Sequence, residues 1–125
     1  MVKITNKDIQ SAFNAITNQL KKPDYIVAVP RGGLWLAQYL AYYFDLDKSK
    51  IKMALDWNDL KNISGNVVVC DDIYDTGEQA LKFPKNLTFC TLFARCRHKK
   101  FPDNLVYGKL IETDEYLWFP WDFGN

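Results

Sequence analysis

The chain alternates between apolar runs of two kinds. "DYIVAV" (24–29) and "NVVVC" (66–70) are short, continuously apolar and rich in β-branched residues. That pattern predicts strands buried on both faces of a parallel sheet. "LTFCTLFAR" (87–95) reads as another strand and "IKMAL" (51–55) as a shorter one. Between them the period changes to that of a helix. In "TNKDIQSAFNAITNQLKK", Ile9, Phe13, Ile16 and Leu20 recur at spacings of three and four, with Thr5 or Asn6 as the N-cap. Lys21 and Lys22 are expected in its last turn, opposing the helix dipole, and Pro23 stops it. "LWLAQYLAYYFDL" (34–46) predicts a second helix and "GEQALKF" (77–83) a short third one.

Strand, helix and strand in alternation predict an α/β fold: a mostly parallel, Rossmann-like sheet flanked by helices, with right-handed crossovers. No repeat, low-complexity tract or Gly/Ser linker divides the chain, so residues 1–125 are expected to form one domain. The alternation ends at "VYGKLIETDEYLWFPWDFGN", whose aromatic density fits an edge strand followed by a short aromatic hood, or a plain cover for the sheet's open edge.

Charge and composition remove several function classes. A formal net charge of +1 supplies no chain-wide attraction to nucleic acid or to an anionic membrane. The N-terminal "MVKITNKDIQ" lacks a signal-peptide pattern, and no apolar stretch is long enough to span a bilayer, so a cytoplasmic protein is expected. Cys70, Cys90 and Cys96 are odd in number, have no C-x-x-C spacing and are joined by a single histidine, His98. They read as packed or surface thiols, neither a disulfide framework nor a zinc site. The basic run "RCRHKK" (95–100), His98 included, reads as a solvated loop.

Two loops carry chemistry, and both fall where strands of such a sheet deliver ligands, beyond their carboxyl ends. In "VVVCDDIYDTGEQA", the apolar strand runs directly into Asp71, Asp72 and Asp75. Carboxylates so placed repel one another and need a cation or hydroxyl partner. The spacing from Asp71 puts Ile73 third and Thr76 sixth, which excludes an EF-hand. A Gly-centred turn opening a helix, "DTGEQ" (Asp75, Thr76, Gly77, Glu78, Gln79), suits a phosphate monoester held by backbone N–H groups and the Thr76 hydroxyl. Asp71 and Asp72 are then placed for sugar hydroxyls or magnesium. The second loop is "VPRGG": Arg31 matches phosphate oxygens with a fixed fork of donors, while Gly32 and Gly33 allow close backbone approach. Together the loops describe a ribose-phosphate site.

"VVVCDDIYDTGEQA" resembles the phosphoribosyl-pyrophosphate (PRPP) motif of type I phosphoribosyltransferases. "IVAVPRGGLWLAQYLA" resembles their pyrophosphate loop, and "EYLWFPWDFG" the C-terminal segment of the bacterial xanthine-guanine branch. The resemblance implies an enzyme that moves the 5-phosphoribosyl group of PRPP to a 6-oxopurine (xanthine, guanine or hypoxanthine), with magnesium as cofactor. It also implies roles. Asp71 and Asp72 bind ribose and the metal; Thr76, Gly77, Glu78, Gln79 and Asp75 form the 5′-phosphate loop; Arg31, Gly32 and Gly33 hold pyrophosphate. Asp75 is the catalytic carboxylate beside the purine nitrogen, Arg95 faces the 6-oxo group, and Tyr116 and Leu117 line the base. The implied partners are PRPP and a purine base or nucleotide, with no nucleic acid and no membrane, and a homodimer is compatible with this scheme.

Three departures bear on catalysis. Gln79 stands where the family usually has Thr, and Arg95 where the purine enzymes keep lysine. "DWNDLKNISG" (56–65) leaves a tight connection where the catalytic family has a long mobile lid that excludes water. The short lid region and Gln79 favour a rival function, a regulatory or binding protein that keeps the PRPP/nucleotide pocket without turnover. Transfer to a pyrimidine is disfavoured by "EYLWFPWD".

Overall fold

The computed structural model describes residues 1–97 and 100–122, so His98 lies outside the described residues. Five parallel strands form the sheet, in the order β3 (Ile51–Met53), β2 (Tyr25–Ala28), β4 (Val67–Tyr74), β5 (Thr88–Arg95), β6 (Leu105–Ile111). After β2 the chain moves outward to β3; from β4 onward it moves the other way. The direction of winding therefore reverses between β2 and β4, and a crevice opens beyond their carboxyl ends.

Both helices cover one face. α1 (Asn6–Thr17) starts at a capping box: the Thr5 hydroxyl accepts from the Asp8 amide at 3.1 Å, and the Thr5 amide donates to the Asp8 carboxylate at 2.9 Å. These hydrogen bonds hold the Asp8 carboxyl below its ordinary pKa. Ile9, Ala12 and Ile16 are its buried stripe. The helix ends at Thr17 with Asn18 as cap, so Lys21 and Lys22 lie beyond it and not, as expected, in its last turn. The Asn18 amide makes an ordinary i→i−4 bond to the Asn14 carbonyl, and the Gln19 amide then turns back to the Ile16 carbonyl in a tighter i→i−3 bond that closes the helix. Against α1 lies Gly108 of β6, where any Cβ would collide with Ala12 at 2.6 Å. α2 (Gly33–Tyr43) buries Leu36, Ala37 and Leu40 against the same face.

The opposite face has no helix among the described residues. Val27, Val69, Phe83 and Phe89 are covered there by Trp57, Leu60 and Ile63 from the β3–β4 connection. That connection is folded down onto the sheet around a single 3-10 turn, Trp57–Asp59. The expected third helix is also one 3-10 turn, Ala80–Lys82, because Pro84 follows too soon for a second turn to form. The expected edge strand is β6. The hood begins with β7 (Leu117–Trp118), which pairs in parallel with β1 (Val2–Lys3) and ties the C-terminal segment to the start of the chain. Cys70 and Cys90 are buried neighbours in the β4–β5 register, where desolvation raises their thiol pKa values, and Cys96 is exposed. None of the described helices is long and apolar enough to cross a membrane.

Candidate active site

The crevice brings the two sequence-predicted loops into contact. β4 does not stop at Cys70. Asp71 and Asp72 lie inside the strand, which continues to the buried Tyr74, and Asp71 is in register with Thr91 of β5. The "PRGG" loop leaves β2 alongside: the Val29 amide donates to the Cys70 carbonyl at 2.9 Å, and the Pro30–Arg31 peptide is cis. A Cβ on Gly32 would strike the Asp72 carboxylate, and one on Gly33 the Cys70 carbonyl. Only glycine permits this approach, and it places the backbone of one loop against the acid pair of the other.

Asp71 and Asp72 are half-buried, and the Asp72 amide donates to the Asp71 carboxylate at 2.8 Å. Burial, reinforced by the charge of Asp72, pushes the Asp71 pKa up to about 8. Burial also raises that of Asp72, with Asp122 adding repulsion. Burial leaves the pair poorly solvated, and among the described residues no ion pair reaches either carboxylate. Among the described residues no three metal-ligating side chains cluster. A hard cation here would draw its other ligands from water and from the oxygens of a bound substrate, as magnesium commonly does.

The "DTGEQ" loop turns at Gly77, whose φ of 87° falls in the left-handed region and whose position lies directly over the Tyr74 hydroxyl. The Thr76 hydroxyl accepts from the Glu78 amide at 3.3 Å. A cavity of about 80 Å³ opens against the loop, lined by residues 73–77, Gln79, Ala80 and Phe89. Because the expected helix is a single 3-10 turn, a helix dipole is not part of this loop. The donors it can offer an anion are backbone N–H groups and the Thr76 hydroxyl. Gln79 is directed elsewhere: its amide donates to the Leu55 carbonyl at 2.8 Å and pins the loop to the β3–β4 connection. Gly77→Ala is expected to lower stability by about 1–2 kcal/mol, from the left-handed backbone alone, read as a lower urea midpoint. An unchanged midpoint would mean that the turn relaxes freely.

At the far end of β5 stand two arginines. Arg95 is buried, with a side chain 7% exposed; its Nη1 donates to the Thr113 carbonyl, its Nη2 to the Glu115 carbonyl at 2.9 Å, and its Nε lies 3.4 Å from Asp75. Arg97, 43% exposed, reaches Asp75 at 3.0 Å and Asp114 at 3.1 Å. The run "RCRHKK" is thus no solvated loop at its start: both arginines fasten Asp75 to the 113–115 turn. Tyr116 is 62% exposed, whereas Leu117 is buried in the core and paired with Val2.

Sequence reasoning missed Arg97, Asp114 and Asp122. Asp122 lies 3.8 Å from Arg31, and its carboxylate accepts from the Phe119 amide at 2.9 Å. Trp121 stacks between Trp35 of α2 and Phe119, so the hood is anchored beside the "PRGG" loop. A proline-aromatic-acid ending after a β-branched edge strand was the available signal, but nothing in it names Arg31 as the partner.

No family model matches the chain. Solved structures do. The chain is similar to a purine phosphoribosyltransferase from Pyrococcus horikoshii, at 24% identity and a TM-score of 0.68, over 96% of this chain and 92% of that one. It is similar to the xanthine-guanine-hypoxanthine phosphoribosyltransferase of Helicobacter pylori, at 20% identity and a TM-score of 0.73, over 98% and 92%. A hypothetical protein from Neisseria gonorrhoeae, solved with ppGpp bound, matches at 19% identity and a TM-score of 0.64, over 97% and 89%. These likenesses establish the fold as that of the type I phosphoribosyltransferases.

Proposed function

We propose that the protein is a purine phosphoribosyltransferase that transfers the 5-phosphoribosyl group of PRPP to a 6-oxopurine and releases pyrophosphate. The observation that carries this reading is the contact of Gly32 with the Asp72 carboxylate and of Gly33 with the Cys70 carbonyl. It sets a loop suited to pyrophosphate directly against a carboxylate pair suited to ribose and magnesium, at the point where the sheet's winding reverses.

In this reading Asp71 and Asp72 hold the ribose hydroxyls and the metal. Bound magnesium would neutralise charge on the departing pyrophosphate. Arg31, with the backbone of Gly32 and Gly33, orients that group. For Arg31 to do so it exchanges Asp122, a pair long enough at 3.8 Å to be given up readily. Thr76, Gly77 and Glu78 present backbone and hydroxyl donors to the 5′-phosphate, and Gln79 holds the loop from outside. Asp75 accepts the proton from the purine ring nitrogen as the new glycosidic bond forms. Tyr116 covers the exposed face of the ring. Arg95 and Leu117 support the pocket from behind, one through the 113–115 turn and one through the core.

A second reading, nucleotide binding without transfer, is favoured by one feature. Trp57, Leu60 and Ile63 hold the β3–β4 connection down on the sheet, and Gln79 fastens it, so closure over the sugar would require their release. Incubation with magnesium, PRPP and each of xanthine, guanine, hypoxanthine, adenine and uracil separates the two. Formation of a 6-oxopurine nucleotide supports transfer. PRPP binding with no nucleotide from any base establishes the binding protein instead.

A further inference from the structure

We propose that Arg97, and not Arg95, is the residue that selects the 6-oxo group of the base. This rests on the purine-transfer reading and assigns its specificity to a residue outside the resemblance. A 6-oxopurine presents its N7 and O6 side by side on one edge. With N7 carrying a proton, that edge asks for an acceptor and a donor next to each other. Asp75 is the acceptor, and the group lying next to it decides which purines fit.

Two guanidiniums flank Asp75, and they differ in what they can give. Arg95 is buried, and its two terminal nitrogens already donate to the Thr113 and Glu115 carbonyls. Turning either toward a base would break a part-buried hydrogen bond to the 113–115 turn and strip a buried guanidinium of the acceptors that satisfy it. Among the described residues Arg97 has no such carbonyl partners. Both of its ion pairs run through one nitrogen, Nη2, to Asp75 at 3.0 Å and Asp114 at 3.1 Å. Asp114 is 84% exposed, so that pair is screened by water and easily exchanged. Arg97 can therefore keep its place beside Asp75 and offer a nitrogen to an oxygen adjacent to the ring proton that Asp75 takes. A guanidinium only donates, so the exocyclic amino group of adenine, with donors of its own, meets a mismatch there.

Arg97→Met keeps length and removes every donor at an exposed position. In the product nucleotide N7 has lost its proton and accepts one back from the Asp75 carboxyl, so O6 still faces Arg97. Calorimetric titration of GMP and AMP into the wild type, Arg97→Met, Arg97→Lys and Arg95→Gln therefore tests the assignment without requiring turnover. The wild type is expected to prefer GMP. Arg97→Met should lose about 10- to 100-fold in GMP affinity with AMP affinity and thermal midpoint unchanged, and Arg97→Lys should recover part of the loss. Arg95→Gln should lower the midpoint but keep the preference. If Arg97→Met keeps the preference, or weakens both nucleotides equally, the assignment is wrong while the purine reading stands. A wild type that binds neither nucleotide nor PRPP defeats both.

Discussion

Asp75→Asn is expected to slow nucleotide formation by about two to four powers of ten while leaving PRPP affinity nearly unchanged. The substitution keeps the shape of the side chain and one carbonyl oxygen for Arg95 and Arg97, which lie 3.4 and 3.0 Å from the carboxylate. It removes the negative charge that, in the proposed transfer, takes a proton from the base. The proposed 5′-phosphate loop that follows relies on backbone groups and Thr76, so PRPP binding there is expected to survive. Single-turnover kinetics beside calorimetric PRPP titration separate the two effects. Full activity in the variant would reduce Asp75 to a structural partner of the two arginines. Loss of PRPP binding in parallel with rate would place its role in the loop and not in the chemistry.

Much of this site was legible in the sequence because the signals were local. A continuous β-branched run cannot be accommodated well except in a buried parallel strand, and "DDIYDTG" and "PRGG" follow such runs directly. Their convergence then needs only the winding rule for an open sheet. Other features were lost where local and tertiary forces disagree. Adjacent carboxylates suggest the end of a strand, yet β4 continues through Asp71 and Asp72 because Ile73 and Tyr74 pair with Phe93 and Ala94 and carry the ladder on. "GEQALKF" has helical spacing, but too few residues precede Pro84 for nucleation to succeed. The partners of Arg95 are the carbonyls of Thr113 and Glu115, which every residue possesses and no sequence advertises. For the same reason the "RCR" spacing looked like surface charge. An acceptor 18 or 20 residues away in the chain becomes visible only when β6 returns beside β5.

The acid pair makes the ligand-free protein sensitive to pH in an unusual direction. In the folded state Asp71 holds its proton up to about pH 8, against an ordinary value of 3.8, because burial and the Asp72 charge disfavour its ionised form. Between those values the folded chain carries more protons than the unfolded one, so its stability is highest on the acid side and falls as pH rises toward 8. Asp8 and Glu115 act oppositely. Their carboxyls are held below their ordinary values by hydrogen bonds from Thr5 and from the chain's amino terminus, so what they contribute is lost in strong acid. The ligand-free protein is therefore expected to be most stable near pH 5. It should lose stability of the order of a few kcal/mol by pH 8, measured as urea midpoints across a pH series. Asp71→Asn should flatten that slope and raise the midpoint at pH 8. A cation that binds only the ionised pair must displace its protons, so magnesium with PRPP should bind more tightly at pH 8 than at pH 6 and release protons as it does. Calorimetry in two buffers of different ionisation enthalpy counts those protons. A midpoint that is flat from pH 5 to 8, in wild type and variant alike, would mean that the pair is already balanced by the protein itself, and the case for a cation at Asp71 and Asp72 would fall with it.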